Sequence, residues 1–407
     1  MSGADSETVR REAGAWFEAN WDAAMTVGAW WGLLAESGWG LPHWPSDWYG
    51  RGLGHAASAA VAEQRHRAGA YGPPGGISVT LVAPTLFDHG SDELKRRYLP
   101  DIVSGVDTWC QFFSEPGAGS DMAAIATSAE RDGDEWVVDG QKVWTSGAHE
   151  SNRAVLIART DPDVPKHRGL TFFAVDMDQP GVEVRPLRDM TGDVDFNEVF
   201  LTDARVRNDD IIGDLNDGWR VAMTMLAYER DLDGVGHDGG GDVLGAAPLD
   251  TAVGEVMADR STGHRSGFAY TTGSLKDEVV TDLVARFGGT DDPVLRQKLA
   301  GDRIIRRVLD WGPANGVPPS ASKLLNSGLT RDLRDRGFGV AGAHGLLTGD
   351  DAPDGGHFAK MALFAQGMSI AGGTDEVQRN ILGERVLGLP AEPRVDKDVP
   401  FRDLPRS

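Results

Sequence analysis

The sequence predicts a mostly α-helical fold with an inserted β domain: a helical N-terminal domain, an antiparallel, barrel-like middle domain and a C-terminal helix bundle. Two observations predict it. Apolar residues recur every three or four positions in the first hundred residues and again from Asp217 onwards, whereas between Thr108 and Gly213 the period shortens to two. The chain's 407 residues, 40% of them hydrophobic, suffice for substantial cores in two or three domains.

The N-terminal domain, residues 1–107, takes its helices from VRREAGAWFEANW and AASAAVAEQRHRAG, broken by the loop LPHWPSDWYGRG and by YGPPGG. In the middle domain, residues 108–213, EWVVDGQKVW, AVLIART, LTFFAVDM, VEVRPL and VDFNEVFL read as short strands, separated by turns at Asp132-Gly133, Asp139-Gly140 and Gln179-Pro180-Gly181. The helical period returns over residues 214–392 in GWRVAMTMLAYER, KDEVVTDLVARF, PVLRQKLAGDRIIRRVLDW, SASKLLNSGLTRDLRDRG, FAKMALFAQGMS and DEVQRNILGERVLG. Within that domain, the glycine-rich stretch Asp231 to Ser274 reads as a long loop or insertion, and residues 393–407 as an extended tail.

Forty Lys and Arg stand against 62 Asp and Glu, a net charge of −22, which disfavours nucleic acid and anionic membranes as partners. An anionic ligand must therefore meet a local basic pocket. The single cysteine, Cys110, leaves no internal disulfide or multi-cysteine metal site and reads as a small buried apolar residue. MSGADSETVRREAGAWFEANW has acidic residues and no continuous apolar core, so neither a signal peptide nor an anchor is expected, and the longest apolar stretch, ISVTLVAPTLF, is far below the ~20 residues of a spanning helix. The expected location is the cytoplasm, with no metal.

Two stretches of the middle domain suit a flat, anionic ligand. FFSEPGAGSD, Phe112 to Asp121, lets backbone amides approach an anion closely, with Ser114 and Ser120 able to donate to it. GQKVWTSGA ends a strand with Trp144, Thr145 and Ser146, an indole that can cover a heterocycle beside two hydroxyls, although a strand tryptophan is more often plain core. A third stretch, IAGGTDEVQR, Ile370 to Arg379, lies near the far end of the chain.

In this order, SEPGAGSD, GDEWVVDGQKVWTSGA and GGTDEVQRNILGERVLGLP resemble the acyl-CoA dehydrogenase family over nearly the whole chain, as do LPHWPSDWYGRGLG, PTLFDHGSDELKRRYLPDIVSG and NDGWRVAMTMLAYER. The resemblance implies FAD as cofactor and the oxidation of an acyl-CoA thioester to its 2,3-enoyl form. It places Gln111, Phe112, Phe113 and Ser114 at the flavin border, Gly119 and Ser120 on the phosphate and substrate side, Trp144, Thr145 and Ser146 on the other flavin face, and Thr374 and Glu376 at the adenosine half. That half commonly lies across a subunit boundary, which implies a homo-oligomer (dimer or tetramer) or a heterotetramer with a paralogous subunit. Electron-transfer flavoprotein or a similar acceptor would take the electrons.

The reaction needs a carboxylate opposite the flavin and donors for the thioester oxygen. Members of the family often carry that glutamate where this chain has Gly372, whose backbone amide can still serve as a donor. Other branches place it on a C-terminal-domain helix just before an arginine, which makes Glu229 the base and puts Arg230 near the CoA portion. Two departures stand out. The glycines after Arg230 threaten the supporting helix, and Ala371 replaces a common aromatic residue, widening the acyl pocket for a bulky or branched group. A non-catalytic or half-site subunit of a heteromeric complex is the alternative reading, and an oxidase a third. GFGVAG, Gly337 to Gly342, follows a helical segment and so is not a Rossmann loop; His237 and His264 read as loop residues.

Overall fold

The computed structural model describes residues 3–231, 248–259, 277–288, 291–312, 315–352, 355–393 and 396–405. The N-terminal domain opens with helices α1 (Gly3–Asn20), α2 (Val27–Ser37) and α3 (His55–Arg67). Thr26 caps α2 by accepting from the Ala29 amide, and Gly38 ends it at φ 70°, a left-handed turn that suits glycine. Trp30 and Trp31 are buried, and their indole N–H groups donate to the carbonyls of Tyr71 and Gly72 at 2.8 Å, so the YGPPGG loop is folded onto this core. A π-helical turn at Ser78–Val82 runs into α4 (Ala83–His89), and α5 (Asp92–Val103) follows with Ser91 as its cap.

The middle domain is one seven-stranded sheet of β1 (Trp109–Phe112), β2 (Ser128–Asp132), β3 (Glu135–Ser146), β4 (Arg153–Arg159), β5 (Leu170–Asp176), β6 (Val182–Leu187) and β7 (Phe196–Arg207). The order is β1-β4-β2-β3-β7-β6, with β5 on the other edge of β4. Most neighbours are antiparallel, as expected, but β1 pairs with β4 in parallel and β2 meets β4 in parallel at Ser128 and Arg159. In sequence the whole β2–β3 hairpin separates β1 from β4, so no tight turn forces these two neighbours into opposite directions.

Alternation along the strands sends side chains to two cores. Val155, Ile157 and Phe172 join a cluster with Leu86, Leu99 and Ile102 of the N-terminal domain and Val221 and Met225 of the C-terminal domain. Leu156, Ala158 and Phe173 face the opposite way, onto Cys110, Phe112, Trp136 and Val206. Cys110 is fully buried there, which pushes its thiol pKa up and fits its reading as an apolar residue.

The C-terminal domain contributes α6 (Gly218–Asp231), α7 (Val253–Asp259), α8 (Asp277–Phe287), α9 (Pro293–Trp311), α10 (Pro319–Ala341), α11 (His357–Phe364) and α12 (Asp375–Ile381). GFGVAG lies at the end of α10, in keeping with its rejection as a nucleotide loop. Part of the stretch expected to be loop is helical: Val253–Asp259, after a turn at 249–250. The helix packs Val253 and Val256 into the tryptophan core, Leu249 of the preceding turn joins them, and Val253 N donates to Met25 O at 2.8 Å. Apolar residues at helical spacing outweigh the glycines there. Residues 232–247 and 260–276, with His237 and His264, lie outside the described residues. The tail also departs from an extended arm: Phe401–Asp403 forms a 3₁₀ turn, and Pro400 bridges to Pro165 of the middle domain. No described helix is long and apolar enough to cross a membrane.

Candidate active site

The glycine-rich loop leaves β1 and closes on itself, Glu115 N donating to Ala118 O at 3.1 Å and Ala118 N to Glu115 O at 3.0 Å. Pro116 and Gly117 form its exposed tip, and a side chain at Gly117 or Gly119 would meet open space. The carbonyl of Ser114 accepts from Val143 N at 2.9 Å, which joins this loop directly to the WTS stretch of β3. Two motifs about thirty residues apart in sequence thus form one surface.

An ion pair that the sequence reading missed holds them together. Lys142, fully buried, donates to Glu115 Oε1 at 2.8 Å, to Phe113 O at 3.1 Å and to Ile157 O at 2.9 Å. Three donations require the ammonium form. Burial draws the Lys142 pKa down, partly offset by the Glu115 charge. For Glu115 burial acts upwards, but Lys142 and the amides of Ala126 and Thr127 outweigh it and hold the carboxyl below its ordinary value. The available signal was a lysine at an inward position of the alternating run VVDGQKVW.

Beyond Lys142 the β3–β7 ladder slips, with Val143 and Trp144 opposite Glu198 alone. This bulge puts Trp144 at φ 60°, a conformation rare for a bulky residue, and turns its ring outward, 56% exposed and edge-on to Phe196 at 5.6 Å. The common expectation for a strand tryptophan, plain core, fails here. Next to it Thr145 is buried and its Oγ1 has no hydrogen-bond partner; the same holds for Nε2 of Gln111 on β1. Buried polar atoms without partners are rare in folded chains and mark places where a ligand completes the bonding. Ser146 and Ser114 are half-buried, and Gly119 and Ser120 exposed. Phe113 is buried in the three-domain cluster and Phe112 in the opposite one, so Phe112 offers a ligand only its backbone.

The third motif is set by backbone conformation. Gly372 and Gly373 lie at φ 64° and 85°, and Gln378 Nε2 fixes the loop by donating to Gly372 O at 2.7 Å. Thr374 then caps α12 through Val377 N at 3.2 Å, and Glu376 is exposed in the first turn. Asp375, again unforeseen, is buried among Lys323 Nζ and Arg331 Nη1, each at 2.8 Å, and the Ser327 hydroxyl. Burial alone would raise its pKa; those three partners bring it down to about 2. Arg331 also reaches the hydroxyl of Ser369, so one cluster grips both ends of the loop Ile370–Thr374.

Glu229 sits half-buried in the last turn of α6, which runs unbroken to Asp231 despite the glycines beyond. Arg230 belongs to the same turn; its side chain lies outside the described residues. Among the described residues no His, Cys, Asp and Glu cluster could hold a metal.

The strained outward indole, the open glycine tip and the unpartnered Gln111 and Thr145 fit a planar, polar-edged cofactor at this surface. A helical, β, helical chain with such a surface has the make-up of a flavoprotein. The family comparison agrees: the acyl-CoA dehydrogenase N-terminal, middle and C-terminal domains match residues 6–106, 110–204 and 295–387. The chain belongs to the acyl-CoA dehydrogenase family, and FAD is the family's cofactor. Among its relatives, acyl-CoA dehydrogenase IpdE1 of Mycobacterium tuberculosis is 38% identical over 373 residues, 89% of this chain and 88% of that protein. Two solved structures share the fold. The ChsE4-ChsE5 complex from Mycobacterium tuberculosis is 25% identical at a TM-score of 0.66, over 96% of this chain and 99% of the other. The Tcur3481-Tcur3483 steroid ACAD is 26% identical at 0.64, over 96% and 99%.

Proposed function

We propose that the chain desaturates a CoA thioester to its 2,3-enoyl form with Glu229 as base, and that the acyl group is bulky and ring-bearing. Bound FAD supplies the acceptor for the β-hydride. Glu229 takes the α-proton from its half-buried place in the last turn of α6. The Gly372 amide donates to the thioester oxygen as charge builds there. Ser120 and Arg230 serve the substrate side, Arg230 toward the CoA portion. Gln111, Phe112, Phe113, Ser114, Gly119, Ser120, Trp144, Thr145, Ser146, Thr374 and Glu376 hold the cofactor.

One observation carries the assignment of the base: position 372 has a left-handed backbone, φ 64°, which glycine adopts freely and a glutamate would adopt only under strain of roughly 1 kcal/mol. The helix that presents Glu229, by contrast, is intact. Ala371 and Gly372 leave the neighbouring wall small, and a structural neighbour is described as a steroid ACAD, which supports the ring-bearing substrate.

Anaerobic flavin reduction across a panel of CoA esters tests this. The parent is expected to bleach with ring-bearing esters, and Glu229→Gln to do so about 10²–10⁴-fold more slowly. Equal rates would remove Glu229 as base, and preference for short linear esters would remove the bulky substrate.

The heteromeric ChsE4-ChsE5 neighbour favours a second reading, a half-site subunit that needs a paralogous partner. A colourless purified chain that gains flavin only on mixing with that partner would support it. Either way an oligomer is inferred, since Val294, Ile304, Val308 and Trp311 are exposed at heptad spacing along α9. Electrons then pass to electron-transfer flavoprotein or a similar acceptor.

A further inference from the structure

The family's C-terminal match ends at residue 387, and the segment Asp396–Leu404 lies beyond it. This segment runs along the β4–β5 loop. Pro400 bridges antiparallel to Pro165, Phe401 N donates to Val164 O at 2.9 Å, and Arg402 N donates to Pro162 O at 3.0 Å. The Arg402 guanidinium also pairs with Asp163.

Two side chains of the β domain lead from the tail to the glycine-rich loop. Lys166 Nζ stands 2.6 Å from Asp396 Oδ2 and 2.7 Å from Oδ2 of Asp121, the residue after Ser120. Arg159, buried at the end of β4, lies against the Phe401 ring with Cζ 3.7 Å from the centroid. It donates to Ala123 O at 2.6 Å, to Ile125 O at 3.2 Å and to Lys166 O at 2.8 Å. The stretch Asp121–Ile125 is therefore held at both ends by cations that the tail itself packs against.

We propose that Asp396–Leu404 is a positioning segment for the ligand loop Gly117–Ser120, acting through Lys166 and Arg159, and that it thereby sets the affinity for the acyl-CoA ester. The geometry favours this over a passive covering. A cation–π contact on a desolvated guanidinium fixes the group's plane, and that plane decides whether its N–H groups reach the carbonyls at 123 and 125. The effect on the ester rests on the assignment of Ser120 to the substrate side.

The test uses the full-length, flavin-loaded protein with Phe401→Ala, Phe401→Tyr and Lys166→Met, read by hydrogen exchange and by steady-state kinetics. Phe401→Ala is expected to speed amide exchange at 119–125 about fivefold and to raise KM about fivefold, with kcat within about twofold of the parent. Lys166→Met should act in the same direction, and Phe401→Tyr, which keeps the ring, should restore both readouts. Unchanged exchange at 119–125 overturns the proposal. So does faster exchange spread over the whole sheet with Phe401→Tyr no better than Phe401→Ala, because that pattern marks general destabilisation. Should the parent turn over no CoA ester, the catalytic reading falls, while exchange at 119–125 still decides whether the tail positions the loop.

Discussion

The Tyr228 hydroxyl donates to Asp88 Oδ2 at 2.7 Å and so fastens the last turn of α6, which carries Glu229, to the end of α4. The two preceding turns of α6 add a bond each: Arg220 Nη1 lies 3.1 Å from His89 Nδ1, and His89 Nε2 lies 2.8 Å from Thr224 Oγ1. Arg220 can only donate, so His89 accepts at Nδ1 and keeps its proton on Nε2. Burial first, and the Arg220 charge second, lower the His89 pKa and favour that neutral form. Tyr228→Phe removes one anchor in a partly exposed seam. Stability should fall by only about 0.5–1 kcal/mol, while flavin reduction slows several-fold, measured by urea unfolding and stopped-flow absorbance.

Trp144 separates a structural from a ligand-binding role. Trp144→Gly relieves a left-handed backbone of roughly 1 kcal/mol and forfeits an aromatic contact of similar size, so the flavin-free melting temperature should stay near the parent's. With flavin present, the stabilisation seen in the parent should be largely lost. Differential scanning calorimetry with and without FAD checks both halves.

Lys142→Met leaves Glu115 buried without its countercharge and should destabilise the protein by about 3–5 kcal/mol. Adding Glu115→Gln should recover much of that loss, because the amide needs no cation. Chemical unfolding of the single and double variants gives the coupling directly.

Asp375 predicts an acid sensitivity. Its pKa is about 2 in the fold against 3.8 ordinarily, so its contribution is complete above the ordinary value and fades as pH falls towards 2. The stability gap between the parent and Asp375→Asn should narrow by about 1 kcal/mol between pH 6 and pH 3, read from urea midpoints.

The order of helices, sheet and bundle was legible because it rests on period, which local sequence carries. The helix at Val253–Asp259 was obscured because glycines surround it on both sides, and its stability comes from tertiary contact with the tryptophan core. The parallel approach of β1 to β4 depends on which strands meet across forty residues, which periodicity does not encode. At the site, the motif residues were readable as chemistry. Trp144's outward turn was not, since it follows from a ladder slip against β7. Nor were the partners of Lys142 and Asp375, which arrive from distant segments.

The apolar cluster that takes Leu86 and Ile102 from one end of the chain, Val155 and Phe172 from its centre and Met225 from beyond it has a practical consequence. Cutting the gene at the family's domain borders would leave the excised β module with a greasy flank where α5 and α6 had been. Such a fragment should precipitate or recruit its missing pieces rather than fold alone, and the intact chain should lose these three parts in a single cooperative melt.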